Sequence, residues 1–228
     1  MSKPNMKPSE SESEVEPIIC PFRVAIDTRE QAPYEFLGLR ANADKKYAPI
    51  LVGHDRVNLP TGKGDYSIVG LSKIALERKS KADLYSSIAS GRDNFESRLL
   101  RMQAFAGNWY SAIIVEAEIS ELVNDPPPHT QYSPKSLIRT IGAWDMRYPA
   151  VKWFFLPGRQ AAEAWTFRTL ERFWHLFHGR IPALNELEST GKFLIGDPNE
   201  VRDIADTGRN PSEIYTPAGI SLVALELD

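Results

Sequence analysis

Apolar and polar positions change period several times along this chain. Phe22-Arg23-Val24-Ala25-Ile26 is an apolar-rich run that breaks into charge at Asp27-Thr28-Arg29-Glu30. It predicts a strand whose Asp27 and Arg29 share a face where the chain leaves the core. Asp65–Val69 and Lys73–Lys79 read as two further strands joined at Gly70-Leu71-Ser72. Ser80-Lys81-Ala82-Asp83 is a capping box that opens a helix through Leu84, Ile88, Phe95, Leu99 and Met102, with Gly91 as a break and Gly107 as its close. Tyr110–Glu116 is a short apolar run of buried-strand type, and Ala150–Leu156 is another strand edged by Pro149 and Pro157. Ser133–Trp144 and Gln160–His178 carry helical spacing, the second with Ala164, Phe167, Leu170, Trp174 and Phe177 on one side. Strand, hairpin, helix, strand is an α/β plan.

The hairpin holds the chemistry. Opposed positions in an antiparallel pair sum to a constant; if Val69 faces Lys73, Asp65 faces Glu77. Directly opposed side chains share a face at roughly 5 Å between Cβ atoms, and Lys79, two residues beyond Glu77, points the same way. A one-residue slip would send Asp65 to the other face. Two carboxylates and an ammonium suit a hard divalent cation, which one or two carboxylates hold together with water and substrate phosphate. Lys79 could orient a water and offset charge growing on phosphorus. The plainer alternative is a solvated hairpin face with weak Lys–Glu pairs.

Length and composition bound these readings. With 228 residues the chain can bury one sizeable core. No apolar run approaches membrane-spanning length, and the N-terminus lacks the apolar stretch of a signal peptide. Cys20 is the single cysteine, which excludes disulfide frameworks and cysteine zinc sites. His175 and His178 sit among helix aromatics and read as packing residues, and Gly62-Lys63-Gly64 is wrongly spaced for a P-loop. The net charge of −3 is uneven: residues 21–180 hold 22 basic against 17 acidic side chains, residues 181–228 three against nine. The basic excess of the middle section is compatible with phosphate contact. The expected division is a disordered tail over residues 1–20, a single α/β domain over 21–180 and an acidic extension over 181–228. Ile220–Leu227 could add a strand, and the segment Leu37–Asn58, with Arg40, Lys45, Lys46 and Arg56, reads as a DNA-facing loop.

The quoted motifs resemble the nuclease domain of the XPF-type structure-specific endonucleases, which belong to the wider PD-(D/E)XK group. The matches are Asp27-x-Arg29-Glu30, Gly64-Asp65-Tyr66, Glu77-Arg78-Lys79-Ser80, Asp83-Leu84, Ser87-Ile88 and Gly91-Arg92, in the family's order from about Phe22 to Glu116. The resemblance implies that residues 21–180 are a nuclease domain with a restriction-endonuclease-like core, a central mixed β-sheet flanked by helices. It also implies Mg²⁺- or Mn²⁺-dependent hydrolysis of DNA, on branched or flapped substrates in repair, recombination or replication. Carried over by position, Asp65 and Glu77 would bind metal with Asp27 as a further acidic member, and Lys79 would be the catalytic lysine. Arg29, Glu30 and Arg92 would support them, and Arg92, Arg98 and Lys81 would meet DNA. The family's tandem helix-hairpin-helix module has no counterpart after residue 180, which opens the questions of branch selectivity and of a homodimer or partner protein. A compact cytoplasmic nuclease of bacterial or phage origin is the expectation. The rivals are a DNA-binding scaffold with little activity and a general duplex nuclease of the same fold.

Overall fold

The computed structural model describes residues 15–41, 47–104, 108–128, 130, 132–179, 192–194 and 201–203. Strands β1 (Ile18–Asp27), β2 (Ile50–Val57), β3 (Tyr66–Ile68), β4 (Leu71–Lys79), β5 (Tyr110–Val115) and β6 (Val151–Phe155) form one mixed sheet in the order β2-β1-β3-β4-β5-β6. β1 runs parallel to β2 and antiparallel to β3; β3 and β4 form the antiparallel hairpin; β4, β5 and β6 run parallel. The helices are α1 (Lys81–Ala89), α2 (Arg92–Ala104), α3 (Ile119–Asn124), α4 (Pro134–Arg147) and α5 (Gly158–Phe177). Strands β7 (Lys192–Leu194) and β8 (Val201–Asp203) pair separately as a two-stranded ribbon. The fold is α/β, a mixed six-stranded sheet flanked by helices.

Period-two alternation sorts the strand side chains onto two faces. Val24, Ile26, Tyr66, Ile68, Ile74, Leu76, Ala112 and Ile114 pack with Phe167, Leu170 and Phe173 of α5. Ala75, Ile113, Val115 and Val151 pack on the other face with Leu84, Ile88, Phe95, Leu99 and Trp144 from α1, α2 and α4. Ser80 caps α1 through the Asp83 N–H, and Ser133 caps α4 through the Ser136 N–H with Pro134 at the first turn. The expected long helix is divided at Ser90-Gly91, where a Cβ on Gly91 would stand 3.3 Å from Ser87 Cα.

Three expectations need correction. The hairpin turn is Val69-Gly70, since Ile68 opposes Leu71; Gly70, with φ +76°, supplies the left-handed conformation, and the Val69 N–H is taken by Arg23 O of β1. Val69 therefore does not face Lys73. The register shift lies between this turn and Tyr66, and Tyr66 opposes Leu76 as the constant sum requires. The segment expected as a DNA-facing loop contains an eight-residue strand, β2, in which Arg56 donates to the carbonyls of Thr28 and Glu30; Lys45 and Lys46 lie outside the described residues. β1 begins at Ile18, inside the stretch assigned to the tail, because Ile18 and Ile19 pair with Ile50 and Leu51 and Cys20 is buried. Ile220–Leu227 also falls outside the described residues.

Candidate active site

Backbone hydrogen bonds tie the acidic positions together at one end of the sheet. The Asp27 N–H donates to Asp65 O at 2.8 Å, and the Asp65 N–H donates to Leu76 O at 2.8 Å. Gly64 permits this close approach: its φ is +69°, and a Cβ there would lie 2.6 Å from Leu76 O. Strand alternation then puts Asp27, Asp65, Glu77 and Lys79 on the face covered by α1 and α2, opposite to Ile26, Tyr66 and Leu76.

Each carboxylate has its own partners. Asp27 is held on both oxygens by Arg29, with Nε to Oδ1 at 2.8 Å, Nη2 to Oδ2 at 2.7 Å and the Arg29 N–H to Oδ1 at 2.7 Å. Burial works to raise the Asp27 carboxyl, but the hydrogen bonds and charge of Arg29 outweigh it and leave the group below its ordinary value. Asp65 Oδ2 accepts from the Arg78 N–H at 2.8 Å. Its carboxyl is raised well above the usual range, first by burial and then by the adjacent Glu77 charge, against the opposing Arg78 N–H. Glu77 is buried and meets Arg98 Nη1 and Lys79 Nζ, the latter at 3.4 Å. Lys79 Nζ also lies 4.7 Å from the centre of the Phe95 ring, which fixes the ammonium between α2 and the sheet.

The donor set fits a hard divalent cation through Asp65 and Glu77. Two adjacent carboxylates, one of them pushed up by burial and by the other's charge, are an arrangement that a cation between them would relieve. Both Asp27 oxygens are engaged by Arg29, which sets this carboxylate apart from the other two. Among the described residues no group of three or more His, Cys, Asp or Glu side chains is set to hold a metal ion, so Asp27, Asp65 and Glu77 are not gathered as a three-carboxylate set. His178 stacks on Trp174 and its Nδ1 meets Trp174 O, so the His175–His178 spacing has a packing role.

The remaining assigned residues are divided between this face and other places. Arg98, expected to contact DNA, reaches Glu77. Arg92 stacks over the Trp144 ring at 5.2 Å and donates to Thr140 Oγ1, docking α2 on α4. Lys81 is paired with Glu121 and Asp125 at 2.9 and 2.7 Å, linking α1 to α3. Glu30 faces the opposite side and meets Arg78 Nη1 at 3.3 Å. There the Arg78 guanidinium is also held by Glu116 at 2.8 and 3.1 Å, Arg159 bridges Glu116 to the carbonyls of Ala32 and Pro33, and both guanidinium groups lie over the Tyr34 ring. Sequence reading gave Glu116 and Arg159 no role. The signal for Glu116 was positional, since the strand it follows had to lie beside the one ending at Lys79.

No family profile and no curated protein sequence matches this chain. Among solved structures it is similar to XPF from Aeropyrum pernix, with 22% identity over 73% of this chain and 70% of that chain and a TM-score of 0.45. A second structure, XPF from Aeropyrum pernix in complex with DNA, matches with 21% identity over 67% of this chain and 64% of that chain, TM-score 0.42. Among the described residues no helix is long and apolar enough to cross a membrane.

Proposed function

We propose that this chain is a Mg²⁺- or Mn²⁺-dependent DNA endonuclease of XPF type, hydrolysing phosphodiester bonds in branched or flapped DNA. The observation that carries the reading is the placement of Asp65, Glu77 and Lys79 on one face, with Asp65 raised by burial and by the Glu77 charge and Lys79 Nζ 3.4 Å from Glu77. Asp65 and Glu77 would hold the ion, with Asp27 beside them. Such an ion, when bound, supplies Lewis-acid polarisation of the scissile phosphate and eases deprotonation of water.

The chain's own residues supply the rest. Lys79, packed on Phe95 and next to Glu77, presents a fixed positive charge where the attacking water and the growing negative charge on phosphorus would sit. Because Phe95 and Glu77 already fix its ammonium, little rearrangement is needed at the moment of reaction. Arg29 keeps Asp27 ionised and, with a side chain 62% exposed, shows its outer edge to a passing backbone phosphate. The Arg78 N–H orients the Asp65 carboxylate toward Glu77.

The test is cleavage of labelled flap, fork, four-way-junction and linear duplex DNA with Mg²⁺, Mn²⁺ or EDTA. The expected result is metal-dependent nicking that favours flap or fork and is abolished in Asp65→Ala and Glu77→Ala. Equal cleavage of linear duplex would make it a general nuclease. Metal-indifferent binding without nicking would make it a scaffold. Nicking that survives both substitutions would remove the site assignment.

A further inference from the structure

Glu77 is a buried carboxylate neutralised from two sides, and the two cations differ in how they are held. Lys79 is 13% exposed and clamped on the Phe95 ring; Arg98 projects from α2 with 45% of its side chain in solvent, while the Glu77 side chain it caps is 2% exposed. An ionised carboxylate this deep requires a cation or hydrogen bonds, so one of the groups on it must stay unless another positive charge arrives. Arg29 makes a contrasting pair. Its guanidinium binds both Asp27 oxygens and also donates to Leu59 O at 3.0 Å, and its own N–H caps Asp27 as well. Arg29 is a fixture, whereas the monodentate, half-exposed Arg98 can leave by side-chain rotation alone.

We propose that Arg98 is an exchange residue: it neutralises Glu77 while the Asp65–Glu77 pair is metal-free, and passes to a DNA backbone phosphate when a divalent ion takes its place. This rests on the reading of Asp65 and Glu77 as the cation ligands. A doubly charged ion at Glu77 repels the adjacent guanidinium and removes its reason to stay, since the carboxylate is then satisfied. The released head, on the solvent side of α2 and beside Arg29, meets the phosphate of a strand lying over the site. Arg98 is thus a positioning residue that couples metal entry to DNA engagement. A charged side chain that competes with one ligand and binds the other makes each ligand favour the other's binding.

The coupling has an unusual signature, because deleting the residue should strengthen one ligand and weaken the other. Mn²⁺ binding to the full chain, followed by electron paramagnetic resonance of the free ion, should tighten in Arg98→Gln by about three- to tenfold, the size of an ordinary charge-pair competition. Anisotropy of a labelled duplex oligonucleotide in Ca²⁺ should show weaker binding and a log K against log salt slope smaller by about one. Arg98→Lys, which keeps the charge, should restore the salt slope, and it serves as the second variant if the Gln form is poorly folded by circular dichroism. Mn²⁺ affinity that is unchanged or weaker in folded Arg98→Gln, while Asp65→Asn abolishes binding, overturns the exchange and leaves the metal site standing. Mn²⁺ binding that Asp65→Asn does not alter overturns the metal site, and the exchange falls with it.

Discussion

Glu77 and Arg78 are neighbours in sequence, yet they enter two charged clusters on opposite faces of the sheet. On the α5 face, Arg78 lies between Glu30 and Glu116 with all three side chains no more than 10% exposed, and Arg159 completes the set over the Tyr34 ring. On the α2 face, Asp27, Asp65 and Glu77 are carboxylates whose cations, Arg29 and Arg98, stand half in water. In the first cluster Arg78 is buried together with both acids and satisfies them, and only Arg159, 43% exposed, reaches water. In the second the acids are fixed and part of their neutralisation is exposed, which leaves a concentration of negative charge that a soluble cation can use. The closed cluster joins the ends of β4 and β5 through Arg78 and Glu116, and the open one is the face on which the proposed ion site rests. The pleat that separates them costs a single residue step.

The sharpest way to break this comparison is to remove one acid from each side. On the open face, Asp65→Asn should lower metal-dependent nicking by about 10³-fold or more, as expected when an essential member of a catalytic set is lost. The same change should stabilise the protein in EDTA. A carboxyl raised by folding contributes stability at low pH that is lost as pH rises from its ordinary value through its raised one, so above that window the Asp65 carboxyl costs stability that Asn does not. A rise in Tm of about 2–4 °C by calorimetry is expected, that being the shift produced by 1 kcal/mol in a chain of this size. Lower Tm would mean that Asp65 is structural. On the closed face, Arg78→Met leaves Glu30 buried without its cation and Glu116 with Arg159 alone, and should cost about 3–5 kcal/mol in urea unfolding. A loss under 1 kcal/mol would show that the closed cluster is wetter than its burial indicates.

Lys79→Ala tests the boundary between the two behaviours, because Lys79 is mostly buried but belongs to the open face. Turnover should fall by about 10²-fold, the usual effect of losing one charge-stabilising group, with DNA affinity kept. Single-turnover cleavage at saturating protein measures the first, anisotropy the second. Unchanged turnover would leave Lys79 as a packing residue on Phe95.

Much of the core and of the hairpin was legible because period-two alternation and the constant sum of antiparallel partners are local rules. Tyr66 against Leu76 follows from them, and with it the shared face of Asp65 and Glu77. The turn was misplaced by one residue because Gly70 works equally well as the first residue of a three-residue turn or the second of a two-residue one; the choice is made by β1, whose Arg23 carbonyl takes the Val69 N–H. β2 was missed since its polar Gly53-His54-Asp55-Arg56 is an edge strand with one side in water, where alternation carries little apolar signal. The partners of Arg78, Arg92 and Arg98 were illegible for another reason. Each is a long side chain reaching an element dozens of positions away, or 21 in the case of Arg98 to Glu77, and nothing local selects the partner. Both Arg92 and Arg98 of α2 were named in the sequence, but that one packs on Trp144 and the other reaches Glu77 is decided by tertiary contacts.

The smallest expected effects compare two glycines of the same hairpin. Gly64 and Gly70 both have positive φ, +69° and +76°, so alanine at either carries the left-handed strain of about 1–2 kcal/mol. They differ in what a Cβ would meet. At Gly70 nothing lies within 4 Å, whereas at Gly64 the added carbon would stand 2.6 Å from Leu76 O and 3.1 Å from Glu77 N, backbone atoms that cannot turn aside. Gly70→Ala should therefore lose only the strain in urea unfolding and keep its nicking rate. Gly64→Ala should lose about 1 kcal/mol more, because the β4 backbone must shift, and Asp65 and Glu77 shift with it. Since displacements of about 1 Å can cost 10²-fold in rate, its nicking should fall by at least tenfold although no catalytic side chain has changed. Equal behaviour of the two variants would mean that the close approach at Gly64 does not hold the carboxylates in place.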